Sequence, residues 1–189
     1  MEVLGAVFSA FGLSASAGLN AYVPLLIVAL VGRFTEWITL APPWDTLESW
    51  WVIAALIVLG AIEFFADKIP AVNHVNDAVQ TVIRPAAGAI LFAASAQVID
   101  EIHPVLALIA GLVVAGSVHA VKSAAVRPAV TATTGGAGNV PVSLAEDLVA
   151  TILSILSVLV PVIVAALIIV ITSYFVWALW RRANRERLA

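Results

Sequence analysis

The sequence predicts an all-α integral membrane protein with about six membrane segments, and three observations lead there. Of 189 residues, 62% are hydrophobic and 11% charged, whereas a soluble domain carries about 25% charged residues to wet its surface. The apolar stretches are long and continuous, unlike the alternating ten-residue segments of a membrane barrel. Inside a bilayer only helices and closed barrels satisfy the backbone, so helices follow.

The elements are predicted in chain order from the length a span needs, roughly 20 apolar residues. Val3 to Gly32 carries no charge, but its middle reads Ser14-Ala-Ser16-Ala-Gly18-Leu-Asn20-Ala-Tyr22-Val-Pro24. Small residues, Asn and Pro in succession predict a discontinuous first span. The start, Met1-Glu2 and then apolar residues, lacks the basic region of a signal peptide and is read as mature chain. Arg33 to Ser49 is a loop. Within it Asp45-Thr-Leu-Glu48 has capping-box spacing and is expected to open the second span, Trp50 to Lys68. Trp44, Trp50 and Trp51 fit an interfacial aromatic belt.

Pro70 to Arg84 is too polar to span. Val72, Val75, Val79 and Val82 recur at helical spacing, which predicts a helix lying at the interface. Pro85 to Val98 is the third span, kinked or extended at Pro85. Asp100-Glu101 marks a turn, and the fourth span runs from Pro104 to Lys122. Arg127 to Val142 reads as irregular, with Gly135-Gly136-Ala-Gly138 as an unwound element rather than a nucleotide site. Ser143 to Trp180 would be about 57 Å long as a single helix, against a bilayer core of roughly 30 Å. It is either a hairpin turning near Pro161 or one long tilted helix. Residues 1–180 then form one transmembrane domain, with halves 1–99 and 100–180, and 181–189 form a basic tail. That tail is expected in the cytoplasm of a bacterial cell, beneath the inner membrane. Six crossings would put the N-terminus on the same face and the acidic loop 33–49 on the other.

Two echoes raise the expectation of an internal inverted repeat. Gly18-Leu-Asn20-Ala-Tyr-Val-Pro24 is echoed by Gly136-Ala-Gly138-Asn139-Val-Pro141, and Arg84-Pro85 by Arg127-Pro128. Paired interruptions in two halves point to a transporter site. Chance recurrence of Gly, Ala and Pro is the bland account.

The charged residues are few and grouped. Glu63 and Asp67 share one helix face, with Lys68 beside them. His119 and Lys122 are three apart, and Glu146 and Asp147 stand in an apolar run. Ionisable groups at membrane depth are costly and read as functional by default. Each also has a plain reading. Lys68, Arg84, Lys122 and Arg127 could anchor helix ends at the interface, and Ser143-Leu-Ala-Glu146 could be a capping box. Glu63, a turn inside its span, is hardest to explain so. His74 and Asp77 are weak candidates for a metal site, without a specific spacing signature. There is no cysteine, no phosphate-binding loop and no serine elbow, and no cofactor is expected.

Glu63-Phe-Phe-Ala-Asp67-Lys68-Ile-Pro70, Asp77, Ile83-Arg84-Pro85-Ala-Ala-Gly88-Ala, His119-Ala-Val-Lys122-Ser and Asn139 through Asp147 together resemble a bacterial membrane family catalogued as domain of unknown function 4126. The resemblance covers nearly the whole chain. It implies the architecture and transfers no activity. Thr134-Gly-Gly-Ala-Gly138 departs from the Ser-Pro-Glu-Pro-like stretch that the family leads one to expect.

The function expected is a small secondary transporter or channel for a polar or ionic solute. The expected solute site takes in Asn20, Tyr22, Glu63, Asp67, Lys68, Arg84, His119, Lys122, Arg127, Asn139, Glu146 and Asp147. Asn20 and Asn139 are expected to meet near the midplane. An intramembrane enzyme acting on a lipid-linked substrate is the alternative, and a non-catalytic partner subunit the third reading. The lipid bilayer is the expected surrounding and nucleic acid is not an expected partner. Chain size points to homo-oligomers.

Overall fold

A computed structural model describes residues 2–68, 70–96, 102–161, 169–177 and 180–181, and at 2 and 70–75 the backbone alone. Those residues are helical throughout, with turns between and no strand among them. Seven α-helices are α1 (Glu2–Leu19), α2 (Tyr22–Phe34), α3 (Trp50–Ala66), α4 (Pro70–Ala96), α5 (Pro104–Val121), α6 (Arg127–Thr134) and α7 (Asn139–Leu159). Stretches Asn76–Ala96, Pro104–Thr134 and Asn139–Leu159 are long and apolar enough to cross a membrane, while Val3–Leu19, Tyr22–Phe34 and Trp50–Ala66 are shorter apolar helices. The outer surface is apolar: Trp51, Ile57, Val58, Ile62, Val82, Leu112, Val113 and Ile152 are all exposed. So large an apolar exterior marks a lipid- or protein-facing surface.

α1 is the central helix, packed on α4, α5 and α7. Small residues let it approach closely: Ala10, Ser14, Ala17 and Gly18 lie on its buried side. Without water to drive association, membrane helices rely on such close packing and on interhelical hydrogen bonds. Ser14 Oγ donates to the Gly88 carbonyl at 2.6 Å, and Ser16 Oγ to the Ala150 carbonyl at 2.8 Å. Gly88 and Gly111 face each other where α4 crosses α5. A Cβ added to Gly111 would collide with the Gly88 carbonyl oxygen.

The expected discontinuous first span is instead a reversal. Ser16 of α1 and Asn20, just after it, bond residues 150 and 154, and 147, of α7 in descending order. Tyr22, Val23 and Leu26 of α2 line a cavity with Asp147, Leu148 and Thr151. Beyond α2, Trp37–Thr39 share another cavity with Gly5, Ala6, Ser9 and Val158. The chain therefore turns back at Asn20-Ala21, and α1 and α2 run in opposite directions. Asn20 makes the turn by capping α2: its Oδ1 accepts from the N–H groups of Tyr22 and Val23 at 3.1 and 3.0 Å. Pro24 falls in the first turn of α2, where its missing N–H costs nothing.

α3 opens at Ser49, whose side chain accepts from Val52 N–H. Asp45-Thr-Leu-Glu48 belongs instead to a 3-10 turn, Trp44–Glu48, so the expected capping box is one element too early. Trp50 and Trp51 are exposed as a belt would require, whereas Trp44 packs against the core.

α4 is one helix through Pro85, not an interfacial helix followed by a third span. The valine stripe is real but faces outward, with Val79 and Val82 exposed, while Gln80 and Arg84 are buried. In lipid, the polar face of a helix turns toward the bundle interior. The side chains of Val72, His74 and Val75 lie outside the described residues.

α5 continues into a π turn, Lys122–Val126, and then α6. Pro128 offers no N–H and its ring crowds the carbonyl four residues back, and the π turn lies just before it. The expected irregular run from Arg127 narrows to residues 135–138, where Gly135 takes a left-handed φ of 61° and ends α6. Ser143, for which a helix cap is the plain alternative reading, is the fifth residue of α7 and fully buried.

α7 stops at Leu159, and Val160 leaves helical geometry at φ −143°, ψ 65°. Thr172 and Phe175, in the helical stretch 169–177, line a cavity with Val142, Ala145, Glu146 and Val149. The chain thus folds back along α7 as a hairpin rather than continuing as one helix. Gly5 and Phe175 stand at opposite ends of the bundle, against the expectation of both termini on one face. The Asp100-Glu101 turn and the tail beyond Arg181 lie outside the described residues.

The two halves do not form matching elements. Asn20 makes a buried reversal, while Asn139 starts α7 in a partly exposed turn. Arg84 is in mid-helix, while Arg127 follows a π turn.

Candidate functional site

Eight charged residues gather at one end of the bundle, where α3 ends, α7 begins and the α1–α2 reversal lies between them. Four cations, Lys68, Arg84, Lys122 and Arg127, meet four carboxylates, Glu63, Asp67, Glu146 and Asp147. These eight charges balance, as burial demands, and Asp77 on α4 stands near them as a further carboxylate whose buried Oδ1 has no hydrogen-bond partner.

Glu63, in the last turn of α3, pairs with Arg84 Nη2 at 2.8 Å. The other end of that guanidinium donates to His119 Nδ1 at 3.3 Å. His119 Nε2 is 3.1 Å from Thr81 Oγ1, whose own hydrogen goes to the Asp77 carbonyl. Arginine cannot accept and the threonine hydrogen is spent, so His119 is the neutral tautomer with its proton on Nε2.

Asp67 follows α3 directly and collects donors from four helical segments. Asn76 donates to its Oδ1 at 2.6 Å. Arg127 Nη2 and Ser143 Oγ reach its Oδ2 at 3.2 and 3.3 Å, and Arg84 and Lys122 stand 3.8 Å from the same oxygen. Glu146 is shared likewise, by Lys122 at 2.9 Å and Arg127 at 2.8 Å. The π turn makes that sharing available. In a regular α-helix a residue five positions on is about 140° round the axis; here the Arg127 N–H bonds the Lys122 carbonyl and both side chains meet Glu146.

Lys68 and Asp147 form an outlying pair at 3.1 Å, each side chain 17% exposed. Lys68 also lies 3.3 Å from the Phe64 ring centroid, a cation–π contact. Asn20 Nδ2 donates to Asp147 Oδ1 at 3.0 Å, and Lys122 donates to the carbonyl of Leu19 at 3.1 Å. Lys122 thereby satisfies an orphan carbonyl at the negative end of α1. The reversal and the ionic network are one construction.

Ten of the twelve expected site residues are brought together directly: Asn20, Glu63, Asp67, Lys68, Arg84, His119, Lys122, Arg127, Glu146 and Asp147. Tyr22 lines the cavity beside Asn20. Asn139 stands apart. It exchanges hydrogen bonds with Thr131, partly exposed, about 12 Å along α7 from the Asp147 that Asn20 holds. The expected meeting of Asn20 and Asn139 is therefore corrected: Asn20 caps the start of α2, while Asn139 ties the start of α7 to Thr131 of α6. Asn76, Thr81 and Ser143 belong to the site and were missed. Asn76, Gln80 and Arg84 recur at intervals of four opposite the valines, a signal that could have found the first.

Two cavities flank the network. One, of about 340 Å³, lies between α2, α3 and α7 and reaches Asn20, Tyr22 and Asp147. The other, of about 700 Å³, lies between α5, α7 and the returning stretch 169–177 and reaches Lys122 and Glu146. Both are mainly apolar. Among the described residues no three His, Asp or Glu side chains stand close enough to hold a metal ion; Asp77 is in place on α4, and the side chain of His74 lies outside them.

Fold and site define a class: an all-helical protein with apolar, membrane-length helices and a buried ion-pair network at one end. The family model described as domain of unknown function (DUF4126) matches residues 7–181. The chain belongs to that family, in agreement with the resemblance carried by Glu63–Pro70 and Asn139–Asp147. No curated protein and no solved structure matches it.

Proposed function

We propose that this protein is a small secondary transporter or channel for a polar or ionic solute, embedded in the cytoplasmic membrane. One observation carries the reading. Glu146 and Asp147, neighbours in α7, line different cavities: Glu146 belongs to the main ion-pair network and Asp147 to the outlying pair with Lys68, one residue away. A solute reaching either cavity meets a charged group on adjacent residues of α7, and on the Glu146 side the partners can exchange because Asp67 and Glu146 each serve more than one cation. Six buried polar atoms there or nearby have no hydrogen-bond partner, among them Glu63 Oε2, Asp77 Oδ1 and Arg127 Nη1. Capacity of this kind is unusual in a site built for stability alone. Placing the basic end and Arg181 in the cytoplasm follows the positive-inside rule.

The mainly apolar cavity beside Lys122 and Glu146 favours a second reading, an enzyme acting on a lipid-linked substrate that enters sideways.

The full chain reconstituted in liposomes tests the first reading. Fluxes of sodium, potassium, protons, chloride, phosphate and acetate are followed against protein-free vesicles. The reading expects flux of at least one, reduced in Glu146→Gln. A well-inserted protein that moves none of them sinks it.

A further inference from the structure

We propose that Arg84, Lys122 and Arg127 form a seat for a small oxyanion, that Asp67 is its built-in occupant, and that an anionic solute of carboxylate or phosphate type takes the place of Asp67. The inference rests on the transport reading and names the class of solute.

Three cations converge on one carboxylate oxygen, Asp67 Oδ2, at 3.2, 3.8 and 3.8 Å, with the Ser143 hydroxyl at 3.3 Å. All three are more than nine-tenths buried: Arg84 is 0%, Lys122 3% and Arg127 6% exposed. Their remaining acidic partners are Glu63 and Glu146. With Asp67 withdrawn, the three cations keep two carboxylates within ion-pair distance, with Asp77 further off on α4, and lose the carboxylate oxygen on which all three converge, a place suited to one anion.

The donors are also under-used. A guanidinium binds an oxyanion best through two parallel N–H groups. Arg127 instead directs one nitrogen, Nη2, at both Asp67 and Glu146, and leaves Nε and Nη1 without partners; Arg84 Nε is likewise unpaired. A multi-oxygen anion could engage donors that a single tethered carboxylate leaves idle.

Asp67 is moreover an ill-placed occupant. It is the residue directly after α3, where the helix dipole presents its negative end and disfavours a carboxylate. Its hold depends on the three cations, on Asn76 and on Ser143, not on its own helix. A carboxylate fixed there against its local field is one that a competing anion can displace.

The test uses the purified full chain in detergent. Asp67→Ala vacates the seat, and Asp67→Asn keeps its shape without the charge if the alanine variant does not fold. Thermal unfolding is followed against formate, acetate and phosphate, with chloride added to hold ionic strength constant. The proposal expects saturable stabilisation of the variants by at least one oxyanion. Adding Arg127→Gln should then raise the half-saturating concentration about tenfold, the loss of one charge-assisted hydrogen bond. No stabilisation of either variant overturns the proposal. Equal stabilisation of the variants and the unaltered protein by every salt also overturns it, because that is a bulk salt effect. Binding is read without flux, so the two readings fail separately. Oxyanion binding with no transport would leave the seat and remove the transporter, while cation flux with no oxyanion binding would do the reverse.

Discussion

Arg84 Nη2 and Glu63 Oε1 meet at 2.8 Å with both side chains 1% exposed, so each replaces the water the other has lost. Removing one partner of such a pair typically costs 3–5 kcal/mol, whereas replacing both by apolar groups can be neutral. Arg84→Met should therefore destabilise the bundle by about 3 kcal/mol or more. Glu63→Leu combined with Arg84→Met should recover most of that. Denaturant unfolding in detergent measures both, and a double variant no better than the single one refutes the pairing.

Lys68 and Asp147 provide the contrast. Their pair is 17% exposed on each side, and partly solvated pairs contribute about 0–1 kcal/mol. Lys68→Met should cost about 1 kcal/mol, less than a third of the Arg84 effect. Equal losses at the two positions would contradict the difference in burial.

Gly111 and Gly116 lie in the same helix and should respond with opposite signs. A Cβ at Gly111 meets the Gly88 carbonyl and the Phe92 Cβ, while one at Gly116 makes ordinary contact with Pro85 at 3.6 Å. Gly116→Ala should gain up to about 1 kcal/mol of helix propensity, and Gly111→Ala should lose about 1–3 kcal/mol to overpacking. Melting temperatures of the two variants decide it.

Asn20→Ala removes the cap of α2 and a bond to Asp147, and should cost about 1–2 kcal/mol. Asn139→Ala should stay within about 0.5 kcal/mol, because its partner Thr131 is exposed. If the two substitutions prove equally costly, the assignment of Asn20 alone to the buried reversal is wrong.

The bundle's ends can be read by chemical labelling, since the chain has no native cysteine. Cysteines at Val3 and Thr46 should react with an impermeant thiol reagent from one side of the membrane, and one at Gly135 from the other. Labelling of the Val3 and Gly135 positions from a common side would rule out the reversal at Asn20.

Helical class, the position of α5 and nearly all of the charged site were legible in the sequence, because charges are scarce there and lipid forbids scattering them. What was not legible depends on direction. Asn20 with Pro24 is equally compatible with a broken span and with a reversal, since a cap looks the same whichever way the next helix departs. The Pro70–Arg84 stripe has helical spacing, but the period does not say whether valines or polar residues face inward; burial of Gln80 and Arg84 decides it. The capping-box spacing at Asp45 was misleading, and the plain capping-box reading at Ser143 does not hold either, because a serine in a helical bundle is also recruited to distant partners, as Ser143 is by Asp67.

The α1–α2 turn has a consequence for how the chain is made. The Leu19 carbonyl accepts its bond from Lys122, 103 positions later, and Asn20 donates to Asp147, 127 positions later. A ribosome releases the turn long before either partner exists, so the first hairpin must wait, incomplete, while four more helices are synthesised. Only the arrival of α7 closes it. Contacts so distant in sequence form late, which makes the last third of the chain the step that commits the whole protein to its native arrangement.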